Sequence, residues 1–153
     1  MIDRLDKKIL EILQKDASLS LDDVGEKAGL SRNACWRRIR KLEEDGVITG
    51  RVAIIDPNTV NLGLSVFMAI RTTEHNADWL DSFHQAVRSI PEIVGAYRTS
   101  GDTDYILHAR IPDVHAYDQL YQKLIERVAL SDVSGSFVME ELKQVTELPL
   151  TFL

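Results

Sequence analysis

The chain has 153 residues, 44% hydrophobic and 27% charged, with a formal net charge of −6 and a single cysteine. That length holds one ordinary domain or two small ones, and the composition is globular rather than disordered. One thiol excludes an intramolecular disulfide, and the apolar runs at 52–55 and 62–70 are too short or too interrupted to span a bilayer, which takes roughly 20 helical residues.

Charge is unevenly spread. Residues 1–57 hold 11 Lys and Arg against 11 Asp and Glu, leaving 7 bases and 13 acids in the remainder. The excess of acid therefore lies entirely in the second part. Within the neutral part, residues 31–42 carry Arg32, Arg37, Arg38, Arg40 and Lys41 without an acid, and Glu43, Glu44 and Asp45 follow at once. Such a local basic cluster is the electrostatic footprint of a polyanion partner, which the net charge alone would argue against.

The first predicted helix covers residues 3–15, where Leu5, Ile9, Ile12 and Leu13 recur at helical spacing. Ser20 reads as the N-cap of a second helix, with Asp23 at the capping-box position and Leu19 facing Val24 as a hydrophobic staple. Gly29 closes that helix in a left-handed conformation. Ser31 then caps a third, with Leu30 stapled onto Cys35, and this helix runs toward Gly46. Two short helices with glycine at the turn, preceded by one that packs across both, form a helix-turn-helix. On a helical wheel Cys35, Ile39 and Leu42 fall on one side of the third helix and Asn33, Arg37, Arg40 and Lys41 on the other. The segment VITGRVAIID predicts a two-stranded wing or a strand leading out of the domain. Asp56, Pro57 and Asn58 break the pattern.

Beyond the break, Leu64, Val66, Met68 and Ile70 alternate with Ser65, Phe67, Ala69 and Arg71, a strand with one apolar face. A helix follows at 78–89, with Trp79, Leu80, Phe83, Val87 and Ile90 as its buried stripe and Pro91 at its end. Strands are predicted at 93–99 and 105–110, then a long helix at 114–129 carrying Tyr117, Leu120, Tyr121, Leu124, Ile125 and Val128 on one face, and a last strand at 133–139. This order is a ferredoxin-like βαββαβ arrangement. The expected fold is α+β: a winged helix-turn-helix DNA-binding domain at 1–56, a linker at 57–63, and a ferredoxin-like domain for ligand sensing and oligomerisation at 64–153.

The stretch LDKKILEILQKDASLSLDDVGEKAGLS followed by CWRRIRKLEEDGVI resembles the helix-turn-helix of the Lrp/AsnC, or feast/famine, family of prokaryotic transcription regulators. SGDTDYILHARIPD resembles that family's effector-domain loop and strand, and the run from Ser134 to Glu141, SGSFVMEE, its closing strand. The resemblance spans residues 2–145, and Cys35-Trp36 with the tail Leu148-Pro149-Leu150 is most similar to the branch that responds to cysteine. It implies a sequence-specific regulator of transcription whose activity a small effector, an amino acid, modulates through the second domain, and a homodimer assembling into tetramers or octamers.

For the basic face an ordinary solvated helix surface is the alternative, but five bases without an acid beside an exposed helix start fit a reader of the major groove. Ser31, Arg32, Asn33 and Ala34 are placed to approach bases or phosphates, with Trp36 and Arg37 next. Arg38, Arg40 and Lys41 are expected on phosphates, and Arg51 on the wing is a further candidate. The partner is double-stranded operator DNA. Residues 101–105 could be a tight hairpin turn and no more. The resemblance instead implies an effector pocket between subunits built from Gly101, Asp102, Asp104, Tyr105, Ser134 and Ser136. Their chemistry suits an amino acid, with carboxylates for its ammonium and hydroxyl or backbone N–H donors for its carboxylate.

Cys35 reads as a packing residue. His75, His84, His108 and His115 share no metal spacing, so no metal and no cofactor are expected. A small ferredoxin-like enzyme is the alternative from another class, yet no nucleophile with a base, phosphate loop or metal set appears; a ligand-independent architectural DNA-binding protein is the other. With no basic-then-apolar leader, the protein is expected in the cytoplasm, at the nucleoid and off the membrane.

Overall fold

Asp3 begins the first helix, α1 (Arg4–Lys15), by accepting the N–H groups of Leu5 and Asp6, while Asp6 reaches back to the Asp3 N–H. This reciprocal capping box satisfies backbone donors that a helix start leaves open. The computed structural model describes residues 2–74 and 76–153; His75 lies outside the described residues. Helix α2 (Leu21–Ala28) starts on the expected Ser20–Asp23 box and ends at Gly29, whose φ of 75° is the left-handed cap read from the sequence. Helix α3 (Arg32–Glu44) is capped by Ser31, and Gly46 follows it at φ 71°.

Ile9, Leu10, Val24, Ala28, Cys35, Ile39 and Leu42 form the buried core of this unit, with Leu19 and Leu30 packed against it as staples. The turn between α2 and α3 is closed by the Leu30 N–H donating to the Gly25 carbonyl at 2.8 Å. There the chain passes so near α2 that a Cβ on Gly25 would stand 2.8 Å from the Leu30 carbonyl oxygen. Gly25 is thus a packing glycine, a different role from the conformational one of Gly29.

No wing strand forms among the described residues of 47–56. The physical reason lies in the donors: Val47 and Ile48 N–H both turn back to the Leu42 carbonyl, at 2.9 and 3.0 Å, completing the end of α3. Whichever of the two a ladder would use is therefore already engaged. Val52, Ile54 and Ile55 are left exposed.

The second unit contains β1 (Leu64–Arg71), α4 (Ala77–Ser89), β2 (Ile93–Arg98), β3 (Tyr105–Ile111), α5 (Val114–Ile125) and β4 (Asp132–Phe137). The strands form one antiparallel sheet in the order β2-β3-β1-β4, the ferredoxin-like arrangement. Val66, Met68, Ile70, Leu107, Ala109 and Ile111 meet Trp79, Phe83, Ile90, Leu120 and Leu124 in a single core, so the apolar alternation of β1 faces the helices as predicted. Helix α5 is shorter than the 114–129 expected. Its end tightens when the Arg127 N–H bonds to Leu124 three residues back, and the Arg127 guanidinium takes the Lys123 carbonyl at 2.6 Å.

Within this unit, α4 and α5 pack on the core face of the sheet, and Phe67, Ser65 and His108 lie on the other. Phe67 stacks on His108 at 4.6 Å and 13°, and the His108 ring bonds the Ser65 hydroxyl at 2.7 Å. Burial, first, and then the Arg110 charge hold the His108 imidazole below its ordinary 6.5, only partly opposed by Glu141.

By contact the chain divides into Ile54–Glu141 and a unit joining Met1–Ala53 to Leu142–Leu153. The closing twelve residues, expected with the ferredoxin-like domain, group with the helices: Leu150 packs against their core, and Gln14 holds Leu148 through two hydrogen bonds, of 2.7 and 3.3 Å.

Two outcomes follow for stability. Gly25→Ala should cost about 1–3 kcal/mol through overpacking, read as a lower denaturant midpoint at unchanged slope; a neutral substitution would show that the turn has room to open. His108, neutral in the fold, contributes stability that is full above pH 6.5 and lost as pH falls below it through the lowered value. His108→Gln should therefore flatten that acid limb in denaturation curves taken across the range, and an unaltered limb would assign it to other groups.

Candidate nucleic-acid interface and effector loop

Burying Cys35, Ile39 and Leu42 turns the rest of α3 outward. Ser31, Arg32, Asn33, Arg37, Arg40 and Lys41 are exposed, Ala34 and Arg38 half-buried, and Trp36 presents half its surface to solvent at 50%. The first turn of α3 carries no acid, so its N–H groups and positive dipole end face outward uncompensated.

The bases differ in how they are held. Arg32 meets Asp22 at 3.2 Å, Arg40 meets Glu44 at 3.5 Å, Lys41 meets Asp45 at 2.8 Å, and Arg51 meets Glu43 at 2.9 Å. These are solvent-exposed pairs that contribute little to the fold, and a phosphate can displace the carboxylate. Arg37 is the one base of α3 with no carboxylate partner among the described residues. Arg38 is the opposite case: it donates to Asp3 at 2.6 Å and Asp6 at 2.7 Å. Both carboxylates raise its already high pKa, Asp6 the more. An open cavity of about 640 Å³ lies beside this face, lined by Asp3 and Asp6 of α1 and Ala34, Arg37, Arg38 and Lys41 of α3 among others.

The residues expected at the effector site lie on separate elements of the chain, the β2–β3 connection, β3 and β4. Gly101 stands at φ 111° at the tip of the β2–β3 connection, with Asp102 exposed beside it. Asp104 is occupied locally: its carboxylate accepts the Thr72 N–H at 2.9 Å, its N–H bonds the Ile70 carbonyl, and its own carbonyl takes the Thr99 N–H. Tyr105 turns its ring into the core, 9% exposed and 4.5 Å from Phe83. Ser134 and Ser136 are exposed on β4, opposite Ala69 and Phe67 of β1. Because β1 separates β3 from β4, two inter-strand spacings of about 4.8 Å part the serines from the strand the loop enters. Sequence reasoning missed the Asp3–Asp6 box and its tie to Arg38; the D-x-x-D spacing at the start of α1 was the available signal.

A helix-turn-helix with an outward basic helix, joined in one chain to a ferredoxin-like sensor fold, defines a DNA-binding regulator of transcription. Residues 2–49 match the family model for winged helix-turn-helix DNA-binding domains, and residues 65–148 that for the Lrp/AsnC ligand binding domain. The chain belongs to the Lrp/AsnC family of transcription regulators. It is 52% identical over 149 residues to the glutamate uptake regulatory protein of Zymomonas mobilis, covering 97% of this chain and 91% of that one. Among solved structures it is similar to an AsnC family transcriptional regulator from Agrobacterium tumefaciens, at 50% identity, a TM-score of 0.95 and 99% of both chains. It is also similar to a transcriptional regulator from Neisseria meningitidis in complex with L-methionine, at 33% identity, a TM-score of 0.95 and 99% of both chains.

The contrast between Arg37 and Lys41 sets up a direct measurement. Arg37→Ala should lose about 1–3 kcal/mol on a selected duplex and little on random DNA, as loss of a base contact does. Lys41→Ala should weaken both alike and flatten the salt dependence. Equal losses on the two DNAs for both variants, by fluorescence anisotropy at two salt concentrations, would overturn the division.

Proposed function

We propose that α3 enters the major groove of operator DNA with Arg37 reading bases and Asn33 and Trp36 flanking it. Ser31, Arg32 and Ala34 lie at the helix start, where phosphates and base edges are both in reach. Arg40, Lys41 and Arg51 exchange their carboxylates for phosphates. The carrying observation is the exposed guanidinium of Arg37, without a carboxylate partner among the described residues, on a helix whose first turn holds no acid. A locally basic surface binds DNA within an acidic protein because screening confines attraction to about 8–10 Å at physiological salt.

The effector is an α-amino acid, and the protein works as a homodimer that assembles further into tetramers or octamers. One reading helix covers too few base pairs for useful selectivity, so a two-fold dimer on a palindromic site is required. Exposed apolar surface on the sheet supports this: Phe67 remains 42% exposed, and Val94 and Tyr97 are also open to solvent. The relative named for glutamate uptake and the neighbour bound to L-methionine support the amino-acid class. Gly101, Asp102, Asp104 and Tyr105 from one subunit and Ser134 and Ser136 from its partner are the proposed contacts. Their place on separate elements of the chain fits a pocket that needs two copies. Ligand held there would shift assembly or the spacing of reading heads, and so DNA affinity. The protein works in the cytoplasm, at the nucleoid.

Calorimetry against each of the twenty amino acids at millimolar concentration tests the effector. Heat from a small set, abolished in Asp102→Ala, is the expected result. Asp102 is chosen because Asp104 also secures the Thr72 backbone. Silence for all twenty would overturn the amino-acid assignment.

A further inference from the structure

Arg38 has the charge of a phosphate contact and the wrong surroundings for one. Its Nη1 donates to Asp3 Oδ2 and to Asp6 Oδ1, with 31% of the Arg38 side chain and 13% of that of Asp6 exposed. The other oxygen of each carboxylate is used as well. Asp3 Oδ1 accepts the N–H groups of Leu5 at 2.8 Å and Asp6 at 2.9 Å, and Asp6 Oδ2 accepts the Asp3 N–H at 3.1 Å. All four oxygens of the α1 capping box are therefore satisfied, two sites by backbone and two by one guanidinium of α3. The cluster holds two acids and one base, so its net charge repels a phosphate.

We propose that Arg38 is a positioning residue, which fixes the rotation of the reading helix about its own axis by anchoring it to the capping box of α1. The neighbouring residue is Arg37. Successive side chains on a helix diverge by about 100°, so holding Arg38 against Asp3 and Asp6 determines where Arg37 points. Cys35, Ile39 and Leu42 hold α3 by apolar contact, which tolerates small rotations; charge-assisted hydrogen bonds are directional and do not. The Asp6 N–H, and then Arg38, keep the Asp3 carboxyl below its ordinary range, so the anchor stays ionised throughout the neutral region. This inference rests on the reading of α3 as the base-contacting helix.

Asp3→Asn, Asp6→Asn and Arg38→Lys separate position from charge. Asparagine at Asp3 keeps the N-cap while removing the ionic anchor. Removing an acid beside DNA raises affinity for every sequence if only charge matters. Lysine keeps the charge at 38 but lacks the planar fork. Affinity is measured for the full chain on a duplex enriched by the wild-type protein from a randomised pool and on unselected DNA. Unfolding curves report whether the fold survives. Positioning predicts that the ratio of the two affinities falls about tenfold in all three variants, the scale of one base contact, while binding to unselected DNA holds or rises. A ratio unchanged in Asp3→Asn and Arg38→Lys overturns the proposal. A parallel loss on both DNAs in Arg38→Lys also overturns it, by assigning Arg38 to phosphate. If Arg37→Ala leaves the ratio intact, it is the reading of α3 that has failed instead.

Discussion

The burial of one side of α3 governs what the amino-terminal unit can present. Cys35, Ile39 and Leu42 are nearly inaccessible, and each belongs to the same core as Ile9 and Leu10 of α1 and Val24 and Ala28 of α2. Apolar burial of this kind is worth about 1.5–3 kcal/mol for a full side chain the size of Ile or Leu. It leaves the polar residues of α3 no choice of side. Gly25 permits the packing by letting the Leu30 carbonyl approach α2, and Ser31 starts the helix where that turn ends. Position and exposure of the basic residues are thus consequences of apolar contacts behind them.

Electrostatics refines what packing exposes. The unit's bases and acids are equal in number over residues 1–57, and the structure resolves that balance into individual pairs. Most basic side chains of α3 rest against acids of their own chain, loosely and in solvent. Arg38 is bound tightly, and Arg37 is left unpaired among the described residues. A sum of charges hides these three conditions, though each has its own chemistry.

Features governed by neighbours in sequence were legible beforehand. The Ser20 and Ser31 caps, the Gly29 stop, the staples and the strand alternation of 64–70 depend on residues within a turn or two. The family, too, was legible in local strings. What was not legible is which of several competing partners, near or far along the chain, a given group takes. Residues 2–49 match the winged helix-turn-helix class, but the form of the wing is not legible: no strand is assigned over 47–56 among the described residues, and the Val47 and Ile48 N–H groups go to the Leu42 carbonyl. The long helix was extended to residue 129 on apolar periodicity, although its end is set by Arg127 folding back on Lys123. The partners of Arg38 are not legible either, because a helical wheel shows direction and says nothing of Asp3 and Asp6, more than thirty residues earlier. The loop string names Tyr105 but not the direction of its ring, which packs on Phe83.

The return of residues 142–153 to the helical unit has a bearing on how the molecule is made. Gln14 and Leu148 are 134 residues apart, and Leu150 adds an apolar side chain to a core otherwise built from residues up to and including Ile48. The helical unit is therefore discontinuous along the chain. Its closing contact must await synthesis of the whole intervening sheet, and the entropy of joining such distant segments grows only slowly with their separation. During translation, then, the reading head emerges first with its helices assembled but its edge unfinished, and it is completed only when the sensor exists.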